Sequence, residues 1–519
     1  AEDGWLCPCS MDERRTYDLW SGFLIAKVLV LYADLSGDER IEDAVYRFFQ
    51  NLWTFTRSVT IDNWASLRWF EALIALYWLY ERRPEPWMMR MADRLEQQGY
   101  DYEKLFSPYR DQAPERVWSY STHVVNLAMA IKMGALVSRM RGGDPESFAK
   151  KMLRDLFEYH GMAVGHFTGD ECVMGNSPVQ GSELCSVVEA MYSYEHLLAV
   201  TGNPEWGDYL ERLAFNALPA TISADMWTHQ YDQQTNQIRC ARLPEDNVIF
   251  GTNGPESHLF GLEPNFGCCT ANFNQGWPKF ALATFMRTED GIASTALAPA
   301  SVHTQIDGVQ VEVRLCTEYP FRGRLTYMVT TEQPVEFELL LRIPGWAATA
   351  TVDGASVAPG VFHPIRRVWS GETTVWVELT FECAFAERPR NMKCLWRGPL
   401  LYSVAVKERW EMLEYTRAGV ERKFPYCDYE LYPESPWNYG FAPDSDFKVT
   451  ERTIDSYPFS GEHPPVEIEA MMAPVDWPEE NGVAAVEPLS RKALEEARPV
   501  RMIPYGCARL RMTEMPEVE

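Results

Sequence analysis

The stretch "GSELCSVVEAMYSYEHLLAVTGNPEWGDYLERLAFNALPA" (Gly181–Ala220) decides how the first half of this chain is read. On both sides of "VTGNPEW" (Val200–Trp206) apolar residues recur three and four apart, the spacing of one buried helical face. Within that joint Gly202 ends one helix and Pro204 opens the next. A matching joint stands far upstream at "LSGDE" (Leu35–Glu39). It leads into "DERIEDAVYRFFQNLW", where Ile41, Ala44, Val45, Phe48, Phe49 and Leu52 fall on one helical face and Asp38 is placed to cap the start. "WFEALIALYWLYERRPEP" reads as another helix, stopped by Pro84 and Pro86. Helical hairpins repeated in this way from about Tyr17 to Leu218 predict an α/α toroid.

After about Asp290 the period changes to two. In "VQVEVRL", Val309, Val311, Val313 and Leu315 alternate with Gln310, Glu312 and Arg314. "EFELLLRIPGW" and "TTVWVELTF" alternate likewise, with turn signals "VDGA" and "WSGE" nearby. This half is expected to be antiparallel β, most simply one or two sandwiches. From about Arg417 the chain is rich in Pro and Tyr, so a second small β unit is expected there. The predicted organisation is therefore multidomain α and β. An α/α barrel catalytic domain spans residues 1–290, a β-sandwich domain 291–415 and a C-terminal β domain 416–519.

The bulk properties narrow the function. A chain of 519 residues exceeds what one core normally supports, which fits that division. The net charge of −26 argues against nucleic acid and against an anionic membrane surface as partners. No run approaches the roughly 20 apolar residues of a membrane span. The first residues, "AEDGWLCPCSMDERR", show no basic end followed by an apolar segment, so no signal peptide is expected. Twelve cysteines lack the density of a disulfide scaffold, and six of them (Cys240, Cys316, Cys383, Cys394, Cys427, Cys507) stand singly. That leans towards a reducing, cytoplasmic setting. Eighteen Trp and 24 Tyr could line a sugar cleft, although large cores use such residues too.

Two short segments carry the metal chemistry. Glu183 and Cys185 lie in "GSELC", Cys268 and Cys269 in "NFGCC". Adjacent cysteines are poorly placed to bond to each other. Ser182 is expected to cap the helix that follows, leaving Glu183 and Cys185 in its first turn, where the dipole favours thiolate and carboxylate. Three thiolates and one carboxylate would close a tetrahedral zinc shell. Spacing alone leaves buried structural cysteines as the alternative. Just upstream, Asp170 and Glu171 sit in the Gly-rich stretch "GHFTGDECVMGNSPVQG", a suitable place for a catalytic carboxylate or simply a solvated acidic pair. His160 and His166 flank it and read as structural. "HQYDQQTNQ" (His229–Gln237) suits a polyol ligand or a polar turn equally.

These residues also carry a resemblance. "GDECVMGNSPVQGSELCSVVEAMYSYEHLL", "ERLAFNALPATISADMWTHQYDQQTNQ" and "FGCCTANFNQGWPKF" resemble the motifs of glycoside hydrolase family 127, the β-L-arabinofuranosidase-type family, in its large and mostly uncharacterised branch. "LLLRIPGWA", "WRGPLLYSV" and "IPYGCARLRMTEMP" extend the similarity through the β half. The resemblance implies an (α/α)6-type barrel with β-sandwich appendages, and retaining exo-hydrolysis of a terminal sugar from plant or algal glycans, with β-L-arabinofuranose the default. It implies Cys268 as nucleophile and Glu171 as general acid/base. It implies a zinc ion held by Glu183, Cys185 and Cys269, with Cys268 completing the shell. His123 and Tyr231 correspond to sugar-contacting residues. A homodimer is compatible with it and is left open.

The chain departs from the family at several points. Phe266 stands where the characterised enzymes have a further cysteine, and Phe23 where they have a histidine. The Glu171–Glu183 loop is shorter. About nine barrel helices are counted against the twelve of a complete (α/α)6 barrel, so the chain is expected either to lack N-terminal helices or to have a depleted barrel. The rival reading is a non-catalytic carbohydrate-binding or structural protein whose zinc only ties loops together. A barrel lyase or epimerase using Glu171 and a histidine has no dedicated motif.

Overall fold

A computed structural model describes residues 3–7, 9–262, 267–443 and 445–519. It divides into two compact units, Ala1–Asp111 with Ser119–Asp155, and Gln112–Trp118 with Leu156–Glu519. The chain is thus helical in its N-terminal region, with a large β-sheet region in its C-terminal part. Among the described residues, no helix is long and apolar enough to cross a membrane.

The first unit is built from helices. Trp20–Ser36 ends at Gly37, whose φ of 69° lets its N–H turn back to the Ala33 carbonyl. Gly202, in the second unit, ends Leu184–Thr201 in the same way at φ 64°, so the two glycine joints read from the sequence are physically alike. Helix Arg40–Phe55 begins one residue later than capping by Asp38 would require. Glu39 holds the cap position, and the Asp38 carboxylate accepts the Arg40 N–H at 3.1 Å from outside. Ala72–Arg82 stops before Pro84, and Pro86 starts Pro86–Gln98, where its missing N–H costs nothing. Phe23, Phe48, Phe49 and Leu76 are fully buried between these helices. Among them lies Glu71, paired with Lys27 at 2.8 Å and Lys132 at 2.5 Å. Burial opposes its charge, but the two ammonium groups outweigh burial and hold the carboxyl below its ordinary value.

The second unit holds helices Leu184–Thr201, Glu205–Arg212 and Gly267–Leu282, the first packing on both others. Beyond them the chain forms an eight-stranded sheet from Phe285–Arg287 to Val361–Leu379, then a nine-stranded sheet from Cys383–Arg388 to Met515–Pro516. Val309–Thr317 pairs antiparallel with Arg324–Ile343, with Val313 opposite Val329 and Leu315 opposite Tyr327. Its period of two is realised as burial: Val311, Val313 and Leu315 are inside and Arg314 is exposed.

Two buried polar networks tie this unit together, the first joining helix to sheet. Arg342, fully buried on its strand, reaches Asp208 at 2.5 Å and pairs with Glu211 on helix Glu205–Arg212, which also accepts from the Tyr319 hydroxyl and the Leu297 N–H. The second network answers the question raised by "HQYDQQTNQ". Gln237 exchanges backbone bonds with Arg511, Asn236 accepts from the Thr513 N–H at 2.9 Å, and the Tyr505 hydroxyl donates to Gln233 at 2.9 Å. Much of the segment's polarity is thus spent on the chain's own C-terminal strands, which fix the backbone around Tyr231.

Candidate active site

Two helix starts create the central cluster. Cys185 lies in the first turn of Leu184–Thr201, Cys268 and Cys269 in the first turn of Gly267–Leu282. Each start presents its free N–H groups and positive dipole end to the sulfurs. Because the two helices pack, the sulfurs of Cys185 and Cys269 come within 3.5 Å. One ligand atom from each of Glu183, Cys185, Cys268 and Cys269 lies within 4.8 Å of all the others. Glu183, Cys185 and Cys269 are buried, and Cys268 alone of the four is exposed.

Glu183 itself occupies the cap position, one residue later than expected, and makes no side-chain cap bond. Ser182 does not cap; it pairs with Gln233 in a two-residue antiparallel bridge and turns its hydroxyl to the Phe167 carbonyl. The same bridge sets Glu183 opposite Asp232. The acidic loop is stitched to it, since Gly169 donates to Gly181 at 2.8 Å and accepts from the Glu183 N–H at 3.1 Å. Glu171 is carried to the cluster by those two bonds.

The two neighbouring carboxylates of that loop have separate roles. Asp170 is fully buried and accepts from the Thr252 N–H (2.9 Å), the Thr252 hydroxyl (2.8 Å) and the Asn253 N–H (3.3 Å). It is an anchor for the 252–253 turn. Burial pushes its carboxyl up to about 6, against those hydrogen bonds. Glu171 is half-buried. Its Oε1 accepts from the Tyr231 hydroxyl at 2.6 Å and its Oε2 from the Trp118 indole N–H at 3.0 Å. Tyr231 is in turn fixed by its carbonyl, which accepts from the Leu184 N–H at 2.9 Å.

The cluster crowds acids together in a buried place. Glu183 is raised well above the ordinary carboxylate value by burial first, then by Glu171 and Cys268. Asp232 is raised well above it too, by burial and by Asp170, Glu183, Glu171 and Cys268. One buried Glu183 oxygen and both Asp232 oxygens have no hydrogen-bond partner among the described residues. Cys268 goes the other way: hydrogen bonds from Cys185 and Cys269 hold its thiol far below the usual range, against burial. Crowded acids, an orphaned buried oxygen and three sulfurs form a site that could hold a metal ion.

Sequence reading thus named the four cluster residues, Glu171 and Tyr231, and the chain brings all six into one neighbourhood. It missed Trp118 and Asp232, which carry no local signal. His166 is buried with its Nε2 at 2.8 Å from the Ser186 hydroxyl, and the His160 Nδ1 accepts the Gly175 N–H at 2.9 Å. His123 belongs to the first unit, where it caps Val124–Ala130 by position and meets Trp64 edge-on at 5.4 Å. Phe23 lies in that unit's core, and Phe266 falls outside the described residues.

The chain has parallels among known proteins. The family model described as the β-L-arabinofuranosidase GH127 catalytic domain matches residues 25–282, and that of the GH127 middle domain matches residues 291–381. The chain is similar to a non-reducing end β-L-arabinofuranosidase of Bifidobacterium longum subsp. longum, 26% identical over 251 residues. That stretch is 44% of this chain and 36% of the relative, so the chain spans about a third of the length of the curated relative it matches. Among solved structures it is similar to a glycoside hydrolase (TM-score 0.67, 16% identity, 100% of this chain and 86% of that one). It is also similar to a GH127 β-L-arabinofuranosidase from Geobacillus stearothermophilus T6 (TM-score 0.64, 17% identity, 99% and 83%). At such identities the likeness is one of fold.

Proposed function

Because the chain belongs to glycoside hydrolase family 127, we propose that it is a retaining exo-glycosidase with Cys268 as nucleophile and Glu171 as acid/base. On this reading it removes a terminal sugar, β-L-arabinofuranose by default, from plant or algal glycans. An (α/α)6-type barrel followed by β-sandwiches is the architecture that goes with it. The observation that carries the proposal is the clustering of Glu183, Cys185, Cys268 and Cys269 within 4.8 Å in the unit where Tyr231 grips Glu171.

Zinc is the ion this donor set favours. With Zn–S bonds of about 2.3 Å, the edge of a tetrahedron is about 3.8 Å, close to the 3.5 Å between Cys185 and Cys269 and far beyond the roughly 2 Å of a disulfide. Glu183, Cys185, Cys268 and Cys269 would hold the ion, which when bound keeps coordinated thiols deprotonated.

The chain's own residues then divide the work. The Cys268 sulfur attacks the anomeric carbon, forming a C–S bond as the C–O bond to the leaving group breaks. Glu171 gives its proton to the departing oxygen. In the second half Glu171 takes a proton from water, whose oxygen displaces the sulfur with a second inversion, so configuration is retained. Exposure favours Cys268 over Cys269, since only Cys268 can meet a substrate. Asp170, spent on the 252–253 turn, is the weaker candidate for the acid. The test is a panel of nitrophenyl glycosides, including the β-L-arabinofuranoside, assayed beside the metal content of the same preparation. Failure of the metal-loaded protein to cleave any of them, or an inverted product by NMR, refutes the proposal.

A further inference from the structure

We propose that Trp118 is a positioning residue for Glu171, its indole N–H fixing the orientation in which the acid/base meets the leaving group; this rests on the reading of Glu171 given above. A general acid must keep one oxygen within about 2.6–3.2 Å of the atom it protonates. A carboxylate held at one oxygen still rotates about its last side-chain bond. Glu171 is held at both, by Tyr231 on Oε1 and by Trp118 on Oε2, so the plane of the carboxylate is set.

An exposed indole alone would mean little. This one is delivered by a segment, Gln112–Trp118, that is fastened to the loops around Glu171. The Glu115 N–H donates to the Val173 carbonyl at 2.8 Å, two residues beyond Glu171. Arg116 donates to the Val248 carbonyl at 2.7 Å, in the loop whose Thr252 and Asn253 are clamped by Asp170. Pro114 lies against Gly175, where an added Cβ would come within 3.1 Å of its ring. Trp118 therefore stands at the end of a strap, with the carbonyl it approaches and the carboxylate it binds on the same loop.

The two donors also differ in place. Tyr231 is 1% exposed and its backbone is bonded to Leu184, next to Glu183, so the Oε1 side faces the cluster. Trp118 is 38% exposed, so the donor on Oε2 is the one that borders solvent, into which a released leaving group departs. The residue that sets Oε2 thereby sets how Glu171 meets that group.

Trp118→Phe keeps an aromatic ring and removes the N–H; Glu171→Gln is run in parallel. Each is assayed on a dinitrophenyl glycoside, which leaves with little proton help, and on the matching disaccharide, which needs it. In Trp118→Phe the ratio of kcat on the disaccharide to kcat on the aryl glycoside should fall about tenfold or more, with metal content and melting temperature unchanged. Trp118→His, which restores a ring N–H, should recover part of that ratio. An equal fall on both substrates would mark a merely structural role and overturn the proposal, as would no fall. If Glu171→Gln itself shows no leaving-group dependence, the acid/base reading fails first, and this inference goes with it.

Discussion

Cys268 and Cys269 are neighbours in sequence and opposites in surroundings: Cys268 is exposed, whereas Cys269 is fully buried with its sulfur 3.5 Å from that of Cys185. The helix start at Gly267 turns successive side chains about 100° apart, so Cys269 is buried against the packed helix while Cys268 sits at the exposed edge of the same cluster. The two should fail differently when changed to Ser. Cys268→Ser should lower turnover by about 10⁴-fold or more while keeping most of the metal, because a serine hydroxyl has no comparable low-pKa anion. Cys269→Ser should lose metal and melt earlier. Iodoacetamide should label Cys268 first, with a substrate analogue protecting it. Mass spectrometry of the labelled peptides and metal analysis of both variants give the answer; labelling of Cys269 alone would reverse the assignment.

The donor set predicts close to one zinc per chain in protein washed with a weak chelator. Stripping with a strong chelator should lower the melting temperature, since an ion that binds only the folded chain stabilises it by about 3 kcal/mol at a hundredfold excess over Kd. Elemental analysis and thermal melts suffice. Wild-type protein with no zinc and a melt indifferent to chelation would remove the metal from the account.

Glu171→Gln should slow hydrolysis of natural glycans far more than of activated aryl glycosides, by roughly 10²–10⁴-fold on the former. Since the second half-reaction loses its base as well, a covalent adduct on the Cys268 peptide should accumulate and be visible by mass. Wild-type rates on natural glycans would exclude Glu171 as acid/base.

What could be read in advance follows from the range of each signal. The change from a helical period to a period of two is local, and the structure follows it at the strands from Phe285 onward. The four cluster residues were legible through the family resemblance; spacing alone left buried structural cysteines as the alternative, and the expected Ser182 cap does not form. Trp118 and Glu171 are 53 positions apart and belong to loops without a period, so nothing marks their bond. "HQYDQQTNQ" left a ligand and a turn equally open because its partners, such as Thr513, lie some 277 positions away. The step from one sheet to the next between Leu379 and Cys383 was hidden because both sheets have the same period.

Asp232 provides a prediction of the opposite kind, a stabilising change. Its fully buried carboxylate has no hydrogen-bond partner among the described residues and stands near Glu183 and Glu171. Asp232→Asn removes a buried acid that its neighbours keep from ionising and should stabilise metal-stripped protein by about 1–3 kcal/mol near neutral pH, read as a higher melting temperature. The gain should shrink in metal-loaded protein, where positive charge already offsets the cluster. A lower melting temperature in both forms would show that the carboxylate is needed as a charge.

His258 gives the acid side of the stability profile. It is fully buried, its Nε2–H donates to the Ala241 carbonyl at 2.6 Å, and burial lowers its pKa from 6.5 to about 4. In the unfolded chain the same imidazole takes a proton near 6.5. As pH falls below 6.5 the unfolded state therefore binds protons that the folded state refuses, and stability falls until about pH 4, below which both states are protonated. The stability is thus full above 6.5 and lost between 6.5 and 4, a span worth about 3 kcal/mol. His166, lowered by burial to about 3, steepens the same window. His258→Gln should melt lower than wild type at pH 7, through the disturbed bond to Ala241, yet show a shallower decline between pH 6.5 and 4. Parallel profiles for the two proteins across that window would mean that His258 is already charged in the fold, contrary to its burial.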